Sequence, residues 1–168
     1  GKDAASAFAD LAPELRGLIE GAAGCSPYLR GLMGREGDWL RAALAQPPET
    51  VLPAEMQALE DVPLEELGAA LRRAKRRVAL FAGLADLGGV WPLESVTAAL
   101  SDLADRAADL SIRRLVADEV RRGKLPGATE ADAVTGAGMV ALAMAVGVMP
   151  SGCEEEATRE ISSLDIYS

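Results

Sequence analysis

The sequence predicts a mostly α fold, a helical bundle centred on a long antiparallel helical hairpin near residues 63–122. Two apolar runs at three- and four-residue spacing, separated by Gly88-Gly89 and Pro92, predict two helices and the turn between them. A hydrophobic content of 49% with only 4% aromatic residues indicates a core of leucine, alanine and valine. We expect about five to seven helices, with at most one or two short strands near the C-terminus.

Proline-containing joints divide the first 62 residues into short helices. Residues 4–22 have the pattern of one or two short helices, and Ser26-Pro27 offers a cap followed by a proline suited to a first helical turn. Two glycines then interrupt the helical pattern, so we expect Asp38 to cap a second short helix that Pro47-Pro48 ends. A further short helix is predicted near residues 54–59.

The first helix of the hairpin carries one continuous apolar stripe. Pro63 suits its first position, and Gly88-Gly89 can adopt the left-handed backbone that closes it. The stripe consists of Leu64, Leu67, Leu71, Ala74, Val78, Phe81 and Ala85. Such a stripe needs an apolar partner, which we expect the second helix to provide.

The second helix of the hairpin begins at Pro92 and is expected to run to about Arg122. Its apolar stripe consists of Leu93, Val96, Leu100, Leu103, Ala107 and Leu110. Three acid–base pairs have the four-residue spacing and order that favour exposed helix ion pairs: Asp102/Arg106, Asp109/Arg113 and Asp118/Arg122. Trp39 and Trp91 are interpreted as large groups that fill the core or a joint.

The composition changes after Gly123, which predicts a helical domain at residues 1–123 and a second segment at residues 124–168. The second segment opens with a polar stretch at residues 124–135, which is interpreted as a linker. The apolar run at residues 138–148 then suits a buried strand about as well as a helix segment.

Composition excludes several classes of function. The chain has no histidine, so Ser-His-Asp and Cys-His nucleophiles and imidazole zinc sites are impossible within it. A net charge of −9 argues against nucleic-acid binding. Cys25 and Cys153 form neither a disulfide framework nor a metal-binding pattern. The longest apolar run is too short to span a bilayer, so we expect a cytoplasmic protein that does not engage a membrane.

Four segments, taken in order, resemble one known family. They are CSPYLRGLMGREGDWL (25–40), LRRAKRR (71–77), LADLGGVWPLESVTAALSDLAD (84–105) and GMVALAM (138–144). Together they resemble the helical portion of the glutamate-ammonia-ligase (glutamine synthetase) adenylyltransferase/adenylyl-removing enzyme family, with spacing more similar to the N-terminal of its two homologous halves. The resemblance implies a bifunctional enzyme that transfers AMP from ATP to a tyrosine of glutamine synthetase and removes it again.

Cofactors and partners are implied by the same resemblance. ATP and Mg²⁺ are bound by a nucleotidyltransferase domain that follows the helices, where two aspartates hold the metal ions. Residues 124–168 are then expected to be a linker plus a remnant of the start of that domain. The implied partners are glutamine synthetase, the PII signal protein and the remainder of the enzyme.

The acidic motif of that domain is incomplete in this sequence. The matching segment is SSLDIYS (162–168), where Asp165 is the one candidate metal ligand and Tyr167 stands where the second acid is expected. A single carboxylate holds two magnesium ions poorly, so we expect neither Mg²⁺ nor ATP to bind this chain well. No catalytic residue is assigned, and no AMP transfer is expected from the chain alone.

The basic run of the first hairpin helix offers Arg72, Arg73, Arg76 and Arg77 as candidate partner-binding residues. Three interpretations stay open for them: a solvated helix face, a contact with an acidic partner surface or domain, and phosphate binding. The main functional hypothesis is the helical portion of the adenylyltransferase, inactive on its own. The alternatives are a non-catalytic regulatory or scaffold protein that binds glutamine synthetase or PII, and a helical interaction module with an accidental likeness.

Overall fold

The computed structural model describes residue 8 and residues 10–139 of the chain. Within them the chain forms six α-helices and a 3-10 turn at Gly136–Gly138. The helices are α1 (Pro13–Cys25), α2 (Pro27–Leu44), α3 (Pro48–Gln57), α4 (Leu64–Leu87), α5 (Leu93–Arg121) and α6 (Glu130–Val134). No strand occurs among the described residues, and the predicted helical bundle with its long hairpin is confirmed. The possible strand at residues 138–148 lies almost entirely outside them.

The first hairpin helix, α4, is the centre of the bundle. It contacts α1, α2, α3 and α5. Val78 and Phe81 belong to an apolar cluster shared with α3 and α5, whereas Leu80 and Leu84 belong to a second cluster shared with α1 and α2. The predicted stripe therefore identifies one of two buried faces of α4. A helix buried on two faces must place its charged residues on the sides that remain.

A closed hydrogen-bond pattern fixes the turn between α4 and α5. The Val90 N–H donates to the Ala85 carbonyl oxygen at 2.9 Å, and the Gly89 N–H donates to the Asp86 carbonyl oxygen at 2.9 Å. This Schellman arrangement requires a left-handed residue, which Gly89 supplies with a φ of 64°. Pro92 was predicted to lie in the first turn of α5, but it is the N-terminal cap residue, and the helix begins at Leu93.

The second helix, α2, is longer than predicted. It continues through the two glycines, with one non-helical residue at Glu36, and Asp38 does not begin a new helix. The cap predicted at Ser26 is confirmed, since its hydroxyl accepts a hydrogen bond from the Leu29 N–H at 3.2 Å. The helix persists because its apolar stripe runs across the glycines, and tertiary packing offsets their low helix propensity. The buried residues of that stripe are Leu29, Leu32, Met33, Leu40 and Ala43.

Prolines begin helices in the first part of the chain. α1 starts at Pro13, within the region predicted to hold one or two helices, and α3 starts at Pro48, six residues before the predicted start. A proline fits the first turn because the N–H groups there have no helical partner. Pro63 was predicted to be the first helical residue of α4, but it is the N-terminal cap residue, and the helix begins at Leu64.

The predicted apolar stripe of α5 is only partly buried. Leu103 and Leu110 are buried, but Leu93 and Leu100 are 66% and 44% exposed, so the prediction for these two residues is wrong. Leu100 lies roughly 80° around the helix from Leu110, since each residue advances about 100°. The buried face also includes partly buried arginines such as Arg113, which a stripe of leucines does not reveal.

A short helix, α6, lies within the stretch predicted to be a linker. The Thr129 N–H and hydroxyl donate to the Asp132 carboxylate at 2.7 and 2.8 Å, forming a capping box whose hydrogen bonds lower the pKa of Asp132. Ala133 is buried where α6 packs on α5. Just beyond α6, Gly136 lies so close to α5 that a Cβ atom at this position would be 2.8 Å from Ile112 Cγ2. The stretch interpreted as a polar linker therefore contains a short helix at residues 130–134.

A buried carboxylate joins α2 to α4. Glu36 is 6% exposed and lies at the kink of α2. One of its oxygens accepts a hydrogen bond from Arg76 Nε at 2.6 Å, and the other accepts one from Arg77 Nε at 3.0 Å. Arg77 Nη1 also lies 3.0 Å from Glu55 Oε1 on α3. Two carboxylates and two guanidiniums thus compensate one another where α2, α3 and α4 meet.

Aromatic rings connect this charged junction to the apolar core. The Arg77 guanidinium carbon lies 5.3 Å from the centroid of the Trp39 ring, within cation–π distance. Trp39 meets Phe81 edge to face with centroids 6.4 Å apart, and Phe81 meets Trp91 in the same way at 5.6 Å. Both tryptophans pack against the core, which confirms their interpretation as filling groups.

Replacing Leu103 with aspartate is expected to lower the free energy of unfolding by about 3 kcal/mol or more, because an unpaired charge would replace a core side chain. Leu100→Asp is the matched control on the same helix, and its effect is expected to stay below about 1 kcal/mol. Urea unfolding followed by far-ultraviolet circular dichroism measures both values. Equal losses for the two variants would contradict the packing face of α5.

Glu36→Gln is expected to lower the free energy of unfolding by about 2 kcal/mol, because Arg76 loses its carboxylate while Arg77 keeps Glu55. The control is Glu20→Gln, which removes the exposed Arg16–Glu20 pair with its 4.0 Å separation. That change is expected to cost about 0.5 kcal/mol or less. Urea unfolding measures the loss of free energy of unfolding for both variants. Equal losses would show that the buried pairing of Glu36 does not stabilise the fold.

Candidate functional site

The basic run of α4 has an outward and an inward part. Arg72, Arg73 and Lys75 are exposed and make no ion pair with any residue that the structure describes. Arg76 and Arg77 are partly buried and bind the carboxylates at the junction of α2, α3 and α4. The four predicted partner-binding arginines are therefore divided between two environments. Two stabilise the fold, and two face solvent.

The position of the core explains this division. Ala74 and Val78 are fully buried, and Arg76 and Arg77 lie close enough to this buried face to reach Glu36 of α2 and Glu55 of α3. The remaining basic side chains lie where no neighbouring helix covers them. We call Arg72, Arg73 and Lys75 the exposed basic face.

A second set of arginines, on α5, converges on Glu60 in the connection between α3 and α4. Arg106 donates to the Glu60 carboxylate, and Arg113 Nη2 lies 3.9 Å from its other oxygen. Arg114 donates to the Glu60 backbone carbonyl oxygen. Sequence reasoning missed this cluster. The spacing of the arginines could have indicated it, because Arg113 and Arg114, seven and eight positions after Arg106, return to the same side of the helix.

The ion pairs predicted along α5 are confirmed in part. Two of them form, with N···O distances of 2.5 and 2.9 Å: Asp109–Arg113 and Asp118–Arg122. The third prediction is wrong, because Arg106 binds Glu60 and makes no ion pair with Asp102. Glu60 is 26% exposed, and attraction between charges is stronger where water is partly excluded.

A further ion pair attaches the start of the described chain to α2. Arg41 Nη1 lies 2.6 Å from both carboxylate oxygens of Asp10, and this hydrogen bonding lowers the pKa of Asp10. The Arg41 guanidinium carbon also lies 5.8 Å from the centroid of the buried Phe8 ring. Phe8 and Asp10, which precede α1, therefore contact the second half of α2.

No metal centre is present in the part of the chain that the structure describes. Nowhere in it do three or more cysteine, aspartate or glutamate side chains come together in a way that could hold a metal ion. Asp165, the metal ligand predicted from sequence, lies outside that part, as does Cys153, whereas Cys25 is an exposed free thiol. None of the helices at residues 10–139 combines the length and apolar character needed to cross a bilayer.

Comparison with known proteins identifies one family. The profile of the family described as glutamate-ammonia ligase adenylyltransferase matches residues 17–147. A bifunctional glutamine synthetase adenylyltransferase/adenylyl-removing enzyme of Rhodopseudomonas palustris is 35% identical over 150 residues, which cover 84% of this chain and 15% of that enzyme. No solved structure matches the chain significantly.

Relatives from other bacteria carry the same description. One from a Bradyrhizobium species is 36% identical over 148 residues, covering 84% of this chain and 15% of the relative. One from Caulobacter vibrioides is 34% identical over 149 residues, covering 82% of this chain and 15% of the relative. The chain thus spans about 15% of the length of the curated relatives it matches. Because the family profile covers all of α2 to α6 and these relatives match over four fifths of the chain, the chain belongs to the glutamate-ammonia ligase adenylyltransferase family.

Proposed function

We propose that this chain is the helical portion of a bifunctional glutamine synthetase adenylyltransferase/adenylyl-removing enzyme, and that it supports catalysis without performing it. The observation that carries the proposal is the 35% identity to such an enzyme across 84% of the chain. The six helices of the described residues, packed around the α4–α5 hairpin, suit a frame on which a catalytic domain is mounted. The proposed role is therefore structural support for a nucleotidyltransferase domain and recognition of its protein substrate.

The proposed domain division lies at residue 123. The Lys124 N–H donates to the Glu119 carbonyl oxygen at 3.0 Å, and Gly123 has a φ of 69°, so a closed C-terminal cap ends α5 at this point. Residues 124–168 are proposed to lead from the bundle into the nucleotidyltransferase domain. The packing of α6 on α5 would hold the start of that connection against the side of the bundle.

The proposal of inactivity rests on the acidic motif. The resemblance to the family implies two aspartates that hold the Mg²⁺ ions bound to ATP, and this sequence offers Asp165 with Tyr167 in the place of a second acid. A tyrosine hydroxyl is a poor magnesium ligand compared with a carboxylate, because Mg²⁺ prefers charged oxygen donors. The chain alone is therefore proposed to bind Mg²⁺ and ATP weakly and to leave glutamine synthetase unmodified.

Incubation of the purified chain with glutamine synthetase, ATP and Mg²⁺ is expected to release no pyrophosphate above the rate without the chain. The measurement is a coupled pyrophosphate assay, run beside a full-length enzyme of the family as the positive control. Release that depends on both glutamine synthetase and Mg²⁺ would overturn the proposal of inactivity.

The exposed basic face is proposed as a docking surface for an acidic region of glutamine synthetase. Its residues, Arg72, Arg73 and Lys75, concentrate three positive charges on a chain whose net charge is −9. A local patch of opposite sign steers association and selects partners by charge complementarity. Because these side chains make no ion pair with a described residue, binding would not break a contact within the bundle.

Reversing two charges tests this surface. Arg72→Glu combined with Arg73→Glu is expected to weaken binding to glutamine synthetase about tenfold or more at low ionic strength, because it places like charges at the interface. Biolayer interferometry with immobilised glutamine synthetase measures the dissociation constant.

The matched control combines Arg16→Glu with Arg30→Glu, which makes the same change in net charge at exposed positions of α1 and α2. Its effect on the dissociation constant is expected to stay within about twofold, as for charges remote from an interface. Equal weakening by the two double variants would show that only net charge matters. Unchanged binding by the α4 variant would exclude the exposed basic face as the contact.

A further inference from the structure

One face of α5 carries no charged residue, although the helix as a whole is rich in charge. The face has the three- and four-residue spacing of a helix and consists of Leu93, Thr97, Leu100, Ala104, Ala108, Ser111 and Leu115. Because each residue advances about 100°, these positions fall within a sector of roughly 80° on the helix. We call this set the outer apolar face of α5. It lies beside the buried face that contains Leu103 and Leu110.

The leucines of the outer apolar face are not covered by any residue that the structure describes. Leu93, Leu100 and Leu115 are 66%, 44% and 54% exposed. Single exposed leucines are normal on a protein surface. A charge-free stripe that extends over about six turns of one helix is different, and it marks a surface for interaction.

The last described residues lie next to this face. After α5 ends at Arg121 the chain turns back, and a Cβ atom on Gly136 would be 2.8 Å from Ile112 Cγ2. On the helix surface, Ala108 and Leu115 are the neighbours of Ile112, four residues before it and three after it. The chain has thus returned about 14 Å along the helix, on a course antiparallel to α5.

The residues that follow form the longest apolar run of the sequence. Residues 140–149 read VALAMAVGVM and contain no charged or polar side chain. Ten residues span about 15 Å as a helix and about 33 Å when extended. Along α5, Leu100 lies about 18 Å and Leu93 about 28 Å before Ile112. The run is therefore long enough to reach the exposed leucines at the start of α5.

We propose that residues 140–149 pack against the outer apolar face of α5 in the same chain, antiparallel to the helix and over Leu100. Both surfaces are uncharged, so their contact removes hydrocarbon from water without burying a charge. Covalent attachment through Met139 raises the effective concentration of the run at the face to about the millimolar range, which favours this contact over one with a second copy. The proposal goes beyond the function proposed above and does not rest on it.

A spin label on Cys153 tests the position of the run by nuclear magnetic resonance. Cys153 lies four residues after the run, and Cys25→Ser removes the exposed thiol of Cys25 from the full chain. Relative to the chemically reduced label, the spin label is expected to lower the ¹⁵N–¹H signal intensities of residues 93–100 more than those of residues 108–112. A run that lacks this contact would affect residues 108–112 at least as strongly, because they are nearer to its point of attachment. That result would overturn the proposal.

A mixed sample distinguishes contact within one chain from contact between two. It contains spin-labelled chain without ¹⁵N and ¹⁵N-labelled chain without a spin label, at the same total concentration. The signals of residues 93–100 are expected to keep their intensity in this sample. Losses as large as those in the singly prepared chain would assign the face to a second copy and overturn the proposal.

Two variants place a charge on either side of the contact. Leu142→Asp alters the run and leaves every described residue unchanged, whereas Leu100→Asp alters the face. Each is expected to abolish the greater loss of signal at residues 93–100. The matched control is Tyr28→Asp, a change to aspartate at a position that is 60% exposed at the start of α2, and it is expected to preserve that loss. If Leu100→Asp unfolds the chain, Leu142→Asp still decides, because an unchanged pattern of losses in that variant contradicts the proposal.

Discussion

The buried carboxylate of Glu36 is the interaction on which the arrangement of the helices depends. A carboxylate that is 6% exposed is tolerated only when its charge is compensated, and here Arg76 and Arg77 each donate to one oxygen. Those arginines are 40 and 41 residues away in the chain, so their hydrogen bonds fix the position of α2 against α4. Glu55 extends the same network to α3, and three helices are thereby held at one junction.

The Glu60 cluster repeats this principle on the other long helix. An acidic residue in the α3–α4 connection receives Arg106 and Arg113 from α5, and its backbone carbonyl receives Arg114. Apolar side chains therefore hold α4 and α5 together along the hairpin, and ion pairs attach α5 to the connection that precedes α4. Ion pairs of this kind add little net stability where water reaches them, but they strongly disfavour alternative packings that would leave a charge buried alone. Helix register is the property they are best suited to specify.

The same arginine types serve two purposes, and burial decides between them. Arginines that face carboxylates across a helix junction are occupied in folding, whereas Arg72 and Arg73 at the exposed basic face make no ion pair with a described residue. The exposed basic face is therefore the surface on which the proposed contact with glutamine synthetase depends. The family assignment rests on sequence similarity, whereas the proposed docking surface rests on exposure and on the contacts of its side chains, so the two can be tested separately.

The sequence alone determined the helical class, the hairpin and its turn, and the family, because helix periodicity and the chemistry of Gly89 and Pro92 are local properties. Tertiary structure decided which charges are paired. Glu36 stands in the apolar stripe of α2 between Met33 and Leu40, which is the signal of a buried acid, but its partners lie too far along the chain for spacing to reveal them. Leu100 is exposed for a related reason. The helices packed against α5 determine which of its faces is buried, and the periodicity of one helix does not show where those helices lie.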